Sequence, residues 1–112
     1  MDDFPDFMKN PANAVGAGSQ SAGLEGFVFE GRDGSQMAFW TAGRDGVSAE
    51  HVHDFDEYMV VIQGRYKVVL PDGGRTLGPG EELHIVKGLP HGGEFTAGTR
   101  TIHCFGGRRV RT

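Results

Sequence analysis

The chain has 112 residues, enough for one ordinary domain and too few for two independent cores. Its 38% hydrophobic content can fill a core, which argues against wholesale disorder, while nineteen glycines and five prolines make the chain turn often. Fifteen acidic residues against eleven basic ones give a formal charge of −4, which disfavours a phosphate-binding surface and hence a nucleic-acid partner.

The N-terminus, Met1-Asp2-Asp3-Phe4-Pro5, is acidic and has none of the basic and apolar regions of a signal peptide. No stretch approaches the roughly 20 apolar residues that cross a bilayer. Cys104 is the only cysteine, so an intrachain disulfide is excluded and the thiol reads as a packed residue. Together these features predict a cytoplasmic protein with no membrane partner. Residues 1–23 read as a docking or flexible segment, with Phe4, Phe7 and Met8 as its apolar cluster and small residues after it.

From residue 24 the chain alternates short extended segments with turns. Strands are predicted over 26–30, 37–41, 58–63, 66–70, 83–86 and 100–105 from their β-branched and aromatic content. Pro71-Asp72-Gly73-Gly74 is a strong turn signal within a stretch, 65–79, long enough for one hairpin. No segment from residue 24 on keeps i, i+3, i+4 apolar spacing over helical length. Many short strands in residues 24–107 predict a β-sandwich or barrel, and 108–112 form a basic, solvated tail.

The informative stretch runs from Gly46 to Gly64. His51 and His53 on a strand point to one face, about 6.6 Å apart along the chain, so both imidazoles can converge on one ion. On a helix they would diverge by about 200°. Glu57 adds a hard, charged oxygen ligand, and two histidines with one carboxylate leave positions open for a further ligand. His91, in Lys87-Gly88-Leu89-Pro90-His91, is the best fourth donor, because a turn after a strand can aim it inward. A His-x-His pair alone would favour a surface strand, with Glu57 a solvated acid.

These residues carry a resemblance. His51-x-His53, three residues, Glu57, six residues and Gly64 resemble the first motif of the cupins; Gly80, ten residues and His91 resemble the second. Gly46 stands one residue closer to His51 than the family pattern has it, Val86 occupies the proline position and Phe95 the asparagine position. The resemblance spans roughly residues 35–105. It implies an all-β, single-domain antiparallel jelly-roll β-barrel after an irregular N-terminal segment. It also implies one divalent transition metal (Fe, Mn, Ni, Zn or Co) on His51, His53, Glu57 and His91, and a homodimer packed sheet to sheet.

Above such a metal the barrel mouth should hold a small-molecule pocket. Met59, Gln63, Trp40, Phe95 and Arg100 are candidates to line it, although a single tryptophan more often packs in a core or interface. His103 and Tyr66 are the candidate catalytic groups, with Glu50 as a further base; a histidine packed between strands is the commoner situation. His84 should face away from the core. Because cupins include isomerases, epimerases, lyases and dioxygenases, the resemblance predicts a metal-dependent enzyme on a small oxygenated metabolite without choosing the reaction. The alternatives are a binding module that senses a sugar or other metabolite through its metal, and a metal that only stiffens the barrel.

Overall fold

The structure, a computed structural model, describes residues 1–16 and 24–110. Among these, ten strands form two antiparallel sheets: β1 (Ala14–Gly16), β2 (Leu24–Glu30), β3 (Gln36–Ala42), β4 (Gly46–His51), β5 (Glu57–Gln63), β6 (Tyr66–Val69), β7 (Arg75–Leu77), β8 (Glu82–Ile85), β9 (His91–Phe95) and β10 (Arg100–Phe105). The larger sheet has the order β1-β2-β3-β10-β5-β8 and the smaller β4-β9-β6-β7. β3 pairs with β10, β4 with β9, β5 with β8 and β6 with β7. That nesting is one long hairpin rolled over on itself, the jelly-roll arrangement.

The inward faces follow the strand period of two. Met59 and Val61 on β5, Val68 on β6 and Ile85 on β8 are fully buried and fill the middle of the barrel. A second cluster of Val28, Ala38, Trp40 and Phe105 lies toward β2 and β3. Trp40 is therefore a core residue, and a Cβ on the neighbouring Gly26 would press on its ring. On the outer face of the larger sheet, Phe4 covers Phe39 at 5.6 Å between ring centroids, whereas Phe7 is 77% exposed.

Three strands escaped the sequence reading: β1, β7 and β9. Each is short, and β9 contains Gly92 and Gly93, residues that normally weaken a strand. Here they are close-approach positions: a Cβ on Gly93 would overlap the Tyr66 ring, and one on Gly92 would meet the Ser48 carbonyl at 2.8 Å. The Gly64 of the first motif has φ +83° at the β5–β6 turn, packed against Thr99, where a side chain would be strained. The 65–79 stretch is one hairpin, β6–β7, closed by the Pro71–Gly74 turn. No helix among the described residues is long and apolar enough to cross a membrane.

Candidate metal centre

The site lies between the sheets at one mouth of the barrel, and a β-bulge builds it. β4 pairs Ser48 with Gly93 and then His51 with His91, so three steps along β4 oppose two along β9. One extra residue inverts the inward–outward alternation. Ser48 is buried, Ala49 and Glu50 are exposed, and His51 turns inward where an unbulged strand would instead bring Glu50 and Val52, both exposed, to the Ser48 face. Only His51 belongs to the strand; His53 lies just beyond its end and is buried. The plain strand expected from His-x-His is thus corrected to a bulged strand end that still delivers both rings to one side, 4.6 Å apart.

Glu57 opens β5 and His91 opens β9, one from each sheet, and both are 4% exposed. The turn before His91 lacks the family proline and is closed by other means. Leu89 N–H donates to the Val86 carbonyl at 3.1 Å, Gly88 N–H to the His53 carbonyl at 3.0 Å and Lys87 N–H to Asp56 Oδ1 at 2.9 Å. Asp56 also pairs with His84, which sits on the outside as expected.

Donor atoms of His51, His53, Glu57 and His91 all lie within 4.8 Å of one another, so this group could hold a metal ion. His51 Nδ1 donates to the Ala49 carbonyl and His91 Nδ1 to the Leu89 carbonyl, both at 2.8 Å. A carbonyl only accepts, so each Nδ1 carries the proton and each Nε2 presents a lone pair. His53 Nε2 and His91 Nε2 stand 3.1 and 3.4 Å from Glu57 Oε1. These three atoms are buried without a hydrogen-bond partner. Buried polar atoms normally have one, and an ion among them would satisfy all three. The donor set fits a divalent transition metal.

Electrostatics agree. Burial alone would raise the Glu57 pKa, but the hydrogen bond from His103 and the close approach of the His53 and His91 rings outweigh it and hold the carboxyl far below the usual range. Burial lowers the His51 pKa, with the positive charges of His91, His53 and Arg109 adding to it, and so keeps its imidazole neutral. For His91 burial acts downward, yet the nearby Glu57 carboxylate and the bond to the Leu89 carbonyl win and its pKa rises.

His103 points inward from β10, and its Nδ1 is 2.8 Å from Glu57 Oε2. Tyr66 meets the His103 ring edge-on at 5.8 Å and stacks on Phe95 at 6.0 Å. Burial and then the Glu57 carboxylate push the Tyr66 pKa well above that of a free phenol, so its hydroxyl stays protonated and does not act as a base. Met59 and Phe95 belong to the core beneath. The structure does not bring Gln63, Arg100 or Glu50 to the site. Gln63 closes β5, about 20 Å along the strand from Glu57. Arg100 faces outward, hydrogen-bonded to Gln63 and the Met1 carbonyl with Phe4 on its guanidinium at 4.8 Å. Glu50 is exposed on the bulge.

Sequence reasoning missed Phe55, which stacks on His53 at 4.8 Å and 12°. It also missed the segment after β10. Gly106 N–H donates to the Asp56 carbonyl at 2.8 Å, Gly107 abuts the Phe55 ring, and Arg109 and Val110 N–H donate to the buried Gln36 Oε1 at 2.9 and 2.8 Å. Two glycines before the arginines were the only hint of a chain folding back over the mouth.

No protein-family model and no curated protein matches this sequence. Solved structures do. KdgF from Halomonas sp. superposes with a TM-score of 0.70 at 23% identity, covering 79% of this chain and 83% of that one. The polyketide cyclase RemF from Streptomyces resistomycificus gives 0.66 at 23% identity, over 77% of this chain and 66% of that one. An RmlC-like cupin from Shewanella frigidimarina gives 0.68 at 16% identity, over 83% and 92%. With the nested strand pairs and the site at the barrel mouth, these likenesses establish that the chain has the cupin fold.

Proposed function

We propose that the chain binds one divalent transition metal through His51, His53, Glu57 and His91, and works as a metal-dependent enzyme on a small oxygenated metabolite. The observation that carries this reading is the trio of buried, unpartnered donor atoms, His53 Nε2, Glu57 Oε1 and His91 Nε2, converging from both sheets. A bound divalent metal would polarise a carbonyl or hydroxyl oxygen of the metabolite. The chain's own groups then divide the work. The Nδ1 protons of His51 and His91 are fixed by backbone carbonyls, which orients both rings. Tyr66 keeps its proton and offers a donor; His103, with Nδ1 committed to Glu57, has Nε2 left as an acceptor. A hydrogen-bond donor and a proton acceptor on rings in edge contact suit carbonyl or sugar isomerase-type chemistry, in which His103 takes the proton. Dioxygenase chemistry is the competing reaction on the same site, and a non-catalytic metabolite-binding module is the competing role.

Metal-loaded protein, screened against dicarbonyls, sugar acids and thiols with oxygen uptake recorded, tests the reaction. Turnover without oxygen consumption supports isomerase-type chemistry; uptake that depends on iron supports oxygenation; binding without turnover supports the binding module. His51→Ala separates a structural ion from a functional one: a folded, inactive variant supports the enzyme, and joint loss of fold and metal overturns it.

A homodimer formed sheet to sheet belongs to the same reading. Phe29, Met37, Cys104 and Tyr58 are successive cross-strand neighbours on the outer face of the larger sheet, and Phe29, Met37 and Tyr58 are exposed. A monomeric mass by light scattering would end it.

A further inference from the structure

Of the three histidines in the candidate metal centre, two have their rings fixed by hydrogen bonds, His51 Nδ1 to the Ala49 carbonyl and His91 Nδ1 to the Leu89 carbonyl. Among the described residues no hydrogen bond fixes Nδ1 of His53. Other rings set its plane instead. Phe55 lies against it with centroids 4.8 Å apart and planes 12° from parallel, and Phe105 stands edge-on to both at 5.8 and 6.2 Å. Near-parallel rings at that separation are offset, an arrangement that aromatic faces prefer. An imidazole that gives its Nε2 lone pair to a cation becomes electron-poor, and the negative face of a phenyl ring then attracts it more strongly. An aliphatic side chain of similar size would fill the space without that attraction.

Phe55 is itself held by the segment after β10. Residues 106–110 fold back as a strap: Gly106 N–H donates to the Asp56 carbonyl at 2.8 Å, while on the other side of Phe55 in the chain the His53 carbonyl accepts from Gly88 N–H at 3.0 Å. Gln36, buried on β3, clamps the far end of the strap: its Oε1 accepts from the main-chain N–H of Arg109 and Val110, and its Nε2 donates to the Val110 carbonyl at 2.6 Å. Between these two fastenings Gly107 abuts Phe55. A Cβ on Gly107 would lie 2.5 Å from Phe55 Cδ2 and 3.0 Å from Cγ. Gly107 is outside the left-handed region, so the Phe55 ring, and not the backbone conformation, excludes a side chain there. Cγ is the root of the ring, so the whole ring would have to swing, and its face against His53 would swing with it.

We propose that Phe55 is a positioning residue of the metal centre, setting the plane of the His53 ring by stacking, and that the strap sets Phe55 through Gly107. This rests on the metal reading above. The test uses full-length protein and cobalt(II), with affinity measured by chelator competition and ligand geometry by the visible spectrum of the cobalt. Phe55→Leu should bind cobalt about tenfold more weakly, in the range found for groups that orient a metal ligand, with shifted visible bands. Phe55→Tyr, which keeps the ring, should restore most of the affinity and the parent spectrum. Gly107→Ala should weaken binding and shift the bands as well, and by less in a Phe55→Leu background, because its effect passes through that ring. Parent-like affinity and spectrum in Phe55→Leu, a loss in Phe55→Tyr equal to that in Phe55→Leu, or fully additive losses in the double variant overturns this inference alone. If Phe55→Leu does not fold, Gly107→Ala decides: parent-like affinity and spectrum there overturn the inference, and weakened binding with shifted bands supports it. Failure of the parent to take up cobalt overturns the metal reading, and this inference with it.

Discussion

His103 Nδ1 donates to Glu57 Oε2 at 2.8 Å from the neighbouring strand, leaving Oε1 as the carboxylate oxygen that faces His53 and His91. Groups that orient a metal ligand in this way typically change metal affinity by 10- to 100-fold when removed. His103→Phe should therefore weaken metal binding by about 10- to 100-fold with the fold intact, and His103→Gln, which keeps a donor, should lose less. Competition against a calibrated chelator measures both. Unchanged affinity in His103→Phe would assign the histidine to packing.

Acid sensitivity follows from Glu57. Its carboxyl is held below the ordinary range in the fold, so its contribution is present above about pH 4.3 and lost as pH falls toward the folded value. In the metal-free protein, the stability gap between the parent and Glu57→Gln should narrow steadily below about pH 4.3. Urea unfolding across that range reads it; a gap that widens on acidification would contradict the assignment.

His91 titrates in the opposite sense. Its pKa is raised in the metal-free fold, so its contribution to that fold is present below about pH 6.5 and lost as pH rises through the raised value. Metal must displace that proton, so affinity should increase with pH through and above this region. Calorimetry in buffers of different ionisation enthalpy should detect a proton released on metal uptake, and His91→Ala should abolish that release.

Gly93→Ala tests the close approach of Tyr66 to β9. Its Cβ would overlap the phenol ring, which has no free space to retreat into because Tyr66 is buried against Phe95. A destabilisation of about 1–3 kcal/mol is expected, read as a lower melting temperature, and Tyr66→Ala in the same chain should recover part of that specific cost.

Gln36→Leu should release the strap. It strips the shared acceptor from two N–H groups and one donor from the Val110 carbonyl, at an expected cost of about 1–3 kcal/mol. Hydrogen exchange at Arg109 and Val110 should quicken by more than that at Met59 or Val61 in the barrel centre.

The legibility of this chain divides along physical lines. The four donor residues of the candidate metal centre were readable because their chemistry is rare and their spacing is set by a short connection: Glu57 follows His53 by four positions, and a single turn delivers His91. Strands with alternating large apolar residues, such as β5, announced themselves through burial on one face. The bulge at Ser48–His51 did not, since one extra residue leaves no compositional trace while inverting the alternation. β9 was hidden by Gly92 and Gly93, whose role lies in the absence of a side chain next to Ser48 and Tyr66. Gln63 and Arg100 share a strand with site residues but sit at its far end or on its other face, and a one-dimensional pattern does not give that distance. The strap was unreadable because a charged tail looks solvated until a partner such as Gln36 is known.

The most direct test of the account is the metal-to-protein ratio after reconstitution with iron, manganese, nickel, zinc and cobalt in turn, followed by removal of loose ions and elemental analysis. The site predicts about one equivalent for at least one of these metals, lost in His91→Ala. A ratio below about 0.1 for all five, set against that one-site stoichiometry, would contradict it.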